Sequence, residues 1–228
     1  MSCAFRSLPT QALRWALPAL ACVAIVHGGP AGADTRAGAP TAPLRKLNPA
    51  PTQAYEIRLT LAQVADLPAG ADRQAPFAEV AGTAQFDVGN AAGCGKSDPR
   101  IGQVPTLSSH EPFRMTRVSA TEYVGTIHAD QLVDEDYYGR GVCHWKLTEV
   151  RVALRAGTDP ADTRFVSALA ARQVLAGQAQ TRHFWKGYYP RYGQGGSGDF
   201  GRQDLASVPA DQRNAFFTTT LTARKTGP

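Results

Sequence analysis

Cysteine is scarce in this chain, with four residues in 228, at positions 3, 22, 94 and 143. No two of them form a Cys-x-x-Cys pair, which removes the usual sequence sign of a dithiol redox centre or a zinc ribbon. Concentrated charge is missing too. The 24 Lys and Arg against 19 Asp and Glu give a net +5, but the basic residues are scattered. Nucleic-acid binding needs a basic stripe, so that partner is not expected. Extended apolar periodicity of the helical kind is scarce, whereas 22 Gly and 16 Pro supply many turns. Together these exclude a helical bundle and favour an all-β chain.

Long apolar runs are confined to the first 33 residues. Arg6 and Arg14 open the chain without a nearby acid, Trp15 to Val26 is almost unbroken apolar sequence, and Ala31-Gly32-Ala33 offers small residues at a cleavage position. Residues 1–33 therefore read as a secretory signal peptide, with an apolar core too short to span a bilayer. A second route is lipidation at Cys22 after Ala19-Leu20-Ala21, but Ala19 stands where leucine is usual and an apolar Val23–Val26 would follow the anchor. Either route places the protein in the periplasm or outside the cell. Cleavage after Ala33 leaves about 195 residues and about +3 of net charge, and it leaves Cys94 and Cys143 as an even pair in an oxidising compartment. They are expected to form a disulfide. Its closed loop of about 50 residues would stabilise the fold by roughly 4 kcal/mol.

Residues 34–52, rich in Ala, Pro, Thr and Gly, read as a disordered leader, and residues 53–228 as one domain. Alternation predicts strands from Tyr55 to Leu61, Phe77 to Val88, Phe113 to Val118, Glu122 to Ala129, Gly141 to Arg155, Phe165 to Leu169, Phe184 to Tyr189 and Phe216 to Thr222. A short helical piece at 169–176 closes at Gly177. In the long segment Cys143, Trp145 and Leu147 share one parity, while Val150, Val152 and Leu154 share the other. A bulge or bend at Thr148-Glu149 is the way to bury both sets, as where a strand passes between sheets. The fold class expected is a single antiparallel β-sandwich with one disulfide and one short helix.

Chemistry-bearing motifs are few. Gly93-Cys94-Gly95-Lys96-Ser97 has Asn90 where a phosphate loop needs its first glycine, and Pro99 opposes the helix that must follow. Gly195-Gly196-Ser197-Gly198-Asp199 lacks the last glycine of a nucleophile elbow and reads as a flexible tip. If the strands ending at Ala129 and starting at Gly141 form a hairpin, His128 faces His144, a pair close enough to share a metal. Asp130, Asp134, Glu135 and Asp136 form an acidic knot that would suit calcium or a solvated turn equally. These are weak metal candidates, without a third ligand or an ordered calcium pattern. No catalytic constellation and no cofactor motif emerges, so a non-enzymatic protein is expected. His183-Phe184-Trp185-Lys186-Gly187-Tyr188-Tyr189-Pro190-Arg191-Tyr192 packs five aromatics into nine residues, more than one strand face can bury. Exposed Trp and Tyr beside Arg and Lys are the material of binding hot spots, and such rings also stack on sugars.

The run Asp134-Glu135-Asp136-Tyr137-Tyr138-Gly139-Arg140-Gly141-Val142-Cys143-His144-Trp145, with Phe184-Trp185 and Cys94, resembles small exported proteobacterial envelope proteins of the effector-immunity type. Some of these are encoded beside secreted toxic effectors, phospholipases among them. The resemblance covers about a quarter of the chain. It implies inhibition of a protein partner by direct binding. The contact surfaces it implies are the stapled loop, with Tyr137, Tyr138 and Arg140, and the aromatic segment, with Phe184, Trp185, Lys186, Tyr188, Tyr189, Arg191 and Tyr192.

Overall fold

Strict alternation builds the first strand. In β1 (Ala54–Ala62) Tyr55, Ile57, Leu59 and Leu61 are buried, and the residues between them are turned toward solvent. The same rule gives β2 (Glu79–Val88), whose Ala84, Phe86 and Val88 are buried. A computed structural model describes residues 43–70, 75–193, 195–196 and 198–227; the expected signal peptide and residues 34–42 lie outside these.

After β2 come the four-residue helix α1 (Ala91–Cys94), β3 (Ser108–Arg114), β4 (Thr116–Ser119), β5 (Glu122–His128), β6 (Trp145–Arg155) and β7 (Arg164–Ala170). Helix α2 (Ala171–Leu175), β8 (Gln180–Trp185), β9 (Gly198–Asp199) and β10 (Phe216–Lys225) complete the chain. Two 3-10 turns, Lys186–Tyr188 and Ala210–Ala215, precede β9 and β10 respectively. Two five-stranded sheets result, ordered β4-β5-β1-β10-β8 and β3-β2-β6-β7-β9. The fold is the expected all-β sandwich. Every ladder is antiparallel except the two-residue pairing of β9 with β7.

The conflict of parity in β6 is resolved by a bulge. Gln85 pairs Glu149 and Phe86 pairs Leu147, so Thr148 is the extra residue, and its hydroxyl donates to the Gln85 carbonyl at 3.2 Å. Cys143, Trp145 and Leu147 are thereby buried together with Val150, Val152 and Leu154. β6 nevertheless stays within one sheet. The crossing between sheets occurs instead at buried Met115, which divides the strand expected over 113–118 into β3 of one sheet and β4 of the other. Gly125 on β5 makes room for that crossing, since a Cβ there would lie 2.6 Å from the Arg114 carbonyl oxygen.

Between the sheets, Phe77, Phe165, Phe184 and Phe217 form one ring cluster, with Phe165 and Phe217 edge to face at 5.1 Å and Phe184 stacked on Phe217 at 5.2 Å. One polar pair joins the two sheets through this core: the buried hydroxyls of Ser167 on β7 and Thr219 on β10 bond at 2.6 Å.

The last ten residues of the expected leader are not loose. Leu47 bridges Leu132, the Asn48 N–H donates to the Gln131 carbonyl at 2.8 Å, and Arg45 pairs with buried Glu111 on β3. Residues 43–53 thus run as a strap over the 130–138 segment. Its backbone polar groups find partners there that the Pro-rich composition does not reveal.

Candidate functional site: the aromatic segment and its groove

Cys94 and Cys143 form the disulfide expected, with Cα atoms 5.3 Å apart, tying the end of α1 to the approach of β6. Around it the largely exposed acidic knot is tied to neighbouring groups of the chain. Asp134 takes the Trp145 N–H at 2.8 Å on one oxygen and His144 Nδ1 at 2.7 Å on the other. Asp136 accepts the N–H groups of Arg140 at 2.9 Å and Tyr138 at 3.3 Å, and these backbone donors, Arg140 first, hold its carboxyl below the usual range. Gly139 and Gly141, at φ +68° and +115°, make that tight turn in a region closed to most side chains. Glu135 faces Lys46 of the strap at 3.6 Å. Asp130 receives the Thr52 and Gln53 N–H groups at 2.8 and 3.0 Å.

The carboxylates of the knot therefore diverge onto separate donors. Neither does the expected histidine ladder form. β5 pairs with β1 and β4, β6 pairs with β2 and β7, and His128 lies opposite Ala54 rather than His144. Among the described residues no group of three or more His, Cys, Asp or Glu is placed to hold a metal ion. Tyr137 and Tyr138, expected on a contact surface, are half-buried and face the strap. The Tyr137 hydroxyl donates to the Val133 carbonyl at 2.6 Å and accepts the Lys46 N–H at 3.2 Å, while the Tyr138 hydroxyl accepts the Leu44 N–H at 3.1 Å. Arg140 is exposed.

The aromatic segment divides by role. Phe184 is in the core. Lys186 Nζ reaches Asp66 at 2.8 Å and the Asn214 carbonyl at 2.9 Å. Tyr189 sets its ring edge against Phe77, with centroids 5.6 Å apart, and its hydroxyl lies between the carbonyls of Pro68 and Pro76. Arg191 bridges Asp159 and Asp162. These four bind the segment to the sandwich. The strand expected over 184–189 ends at Trp185, because Lys186–Tyr188 coils into a 3-10 turn. That turn changes which rings face out: Trp185 is 45% and Tyr192 50% exposed. Tyr188 links them, its ring centroid 5.0 Å from Trp185 and 4.1 Å from Tyr192.

Gly187 is required for this arrangement. A Cβ at that position would lie 2.6 Å from the six-membered ring of Trp185, so the indole rests on the bare backbone of the turn. Beside it opens a groove of about 720 Å³, within the range of small-ligand sites. Trp185, Tyr188, Asp199, Arg202, Val208 and Phe216 contribute to its lining. Asp199 is half-buried, and among the described residues its one hydrogen-bond donor is the Gly201 N–H at 2.9 Å. Desolvation raises its carboxyl above the usual carboxylate range, with the Gly201 N–H opposing only in part.

Asp199 and Arg202 carry no signal in the local sequence, which reads as a glycine-rich tip. Gly195 and Gly196 do have the positive φ values, +88° and +73°, of such a tip. What brings Asp199 to the groove is the parallel pairing of β9 with β7, and what brings Arg202 is its bridge to His183 on β8. No protein-family model, no curated protein and no solved structure matches this chain.

Proposed function

We propose that this chain is an exported, non-enzymatic binding protein of the bacterial periplasm or envelope, which neutralises a secreted toxic effector of the phospholipase type by direct contact. The observation that carries the reading is the continuous ring ladder Trp185–Tyr188–Tyr192, exposed at both ends and held on a rigid base by Lys186, Tyr189 and Arg191. Rigid, partly exposed aromatics bury large area at small entropic cost, as interface anchors do. Phe200, 58% exposed, adds apolar surface in the following segment. Export is supported by the apolar leader of the sequence and by the Cys94–Cys143 bond, which suits an oxidising compartment. No helix among the described residues is long and apolar enough to cross a membrane.

The test is recovery of a partner from periplasmic extract by the purified chain and by a Trp185→Ala, Tyr192→Ala variant. Tyr189 is left intact because its hydroxyl bonds the Pro68 and Pro76 carbonyls. Loss of one hot-spot ring should weaken the complex about 30-fold, and of both more. The specific partner should then vanish from the variant's eluate. Equal recovery by both proteins would move the contact surface elsewhere.

A further inference from the structure

The groove beside Trp185 has a chemical bias that the ring ladder alone does not express. Its carboxylate, Asp199, is desolvated, has a single backbone donor, and makes no ion pair among the described residues. Arg202, which also lines the groove, directs Nη1 to Ser207 Oγ at 3.4 Å and makes no ion pair with Asp199. The indole of Trp185, set over Gly187, and the ring of Tyr188 line the same groove. An electron-rich ring face beside an uncompensated carboxylate is complementary to a cation, and most closely to a planar one. A guanidinium can stack on the indole while giving two parallel N–H bonds to the carboxylate, which an ammonium cannot do.

We infer that the groove receives an arginine side chain of the bound protein, stacked on Trp185 and paired with Asp199. The inference rests on the binding reading above and specifies what the partner must present. The arrangement leaves a desolvated charge uncompensated until the partner arrives, so the free protein is poised for a cationic anchor rather than an acidic or neutral one. Val208 and Phe216 also line the groove and offer apolar surface to the aliphatic stem of arginine.

The test titrates N-acetyl-arginine amide into the purified chain and follows the Trp185 indole N–H by NMR, with N-acetyl-citrulline amide as the neutral isostere. Expected are a saturable shift with the arginine compound, none with citrulline, and an affinity at least about fivefold lower in Asp199→Asn, whose melting temperature at neutral pH is not lowered. Equal shifts from citrulline, equal binding by Asp199→Asn, or a response to cellobiose in place of arginine would each overturn the inference. Partner recovery separates it from the reading beneath it. If Trp185→Ala, Tyr192→Ala loses the partner while Asp199→Asn retains it in full, binding at the ladder stands and the arginine anchor falls. If no variant loses the partner, both fall.

Discussion

Two segments of this molecule share several residue types and have opposite fates. Residues 134–145 and 184–192 each carry a Tyr-Tyr pair, a Trp, a glycine-bearing turn and an arginine. In the first, almost every polar group is spent inside the chain: Asp134 on His144 and Trp145, Asp136 on the turn N–H groups, and both tyrosine hydroxyls on the strap. It is a clasp. In the second, four side chains anchor the segment, while Trp185 and Tyr192 remain half exposed and Asp199 beside them is barely compensated. Composition alone cannot separate a clasp from a contact surface. What separates them is which rings the fold leaves in solvent: Trp145 is buried, whereas Trp185 is 45% exposed.

The contrast can be broken first at the staple. Replacing both Cys94 and Cys143 by serine should lower the unfolding free energy by about 4 kcal/mol in urea titrations, since the bond closes a separation of 49 residues. A loss below about 1 kcal/mol would mean that the clasp holds without its disulfide. Next in size is the strap. Tyr137→Phe removes a donor to Val133 and an acceptor for Lys46, and should cost about 1 kcal/mol with earlier proteolysis of residues 43–53. Tyr189→Phe should cost a similar amount, about 1 kcal/mol, by freeing the Pro68 and Pro76 carbonyls, which makes it the structural member of the aromatic segment. Trp185→Ala, in the same segment, should change stability by less than about 0.5 kcal/mol while abolishing partner recovery. If it instead unfolds the chain, Trp185 belongs with the clasp residues.

The smallest effect is one of sign. Burial pushes the Asp130 carboxyl up, but the N–H groups of Thr52 and Gln53 and the Thr52 hydroxyl overrule it and leave its pKa lowered. Its stabilising contribution is therefore present above the unfolded carboxylate pKa and is lost as pH falls through the folded value. Asp199 is raised by desolvation, so its contribution runs the other way: present at acid pH and lost as pH rises through the folded value. Asp130→Asn should flatten the acid limb of a melting-temperature profile. Asp199→Asn should raise the melting temperature at neutral pH relative to acid, and a lowered one at neutral pH would remove the strain assigned to the groove.

Alternation and parity made much of the sandwich legible. β1, β5, β7 and β10 lie where their apolar period places them, and the bulge at Thr148 follows from the switch in parity between Leu147 and Val150. These are properties of neighbouring residues and need no partner strand. The pairing of β5 with β1 rather than β6 was not legible, nor was the crossing at Met115, because both depend on contacts between distant segments. The candidate site was half visible. A surplus of rings in 184–192 marks an exposed surface, but nothing local tells Trp185 and Tyr192 from Tyr189, whose hydroxyl partners are more than a hundred residues away.

What the sequence determined by itself is the class of fold, the phase along most of its strands and the Cys94–Cys143 pair that closes it. Side-chain periodicity, and the place of Cys3 and Cys22 within the expected signal peptide, are local matters. Only the tertiary structure decided that the acidic knot is a clasp, that residues 43–53 are a strap, and that Asp199 lines the groove of Trp185 with one donor among the described residues. The physical reason is that satisfaction of a polar group depends on whatever the folded chain brings to it, and two identical residue types diverge as soon as one finds a backbone donor and the other does not.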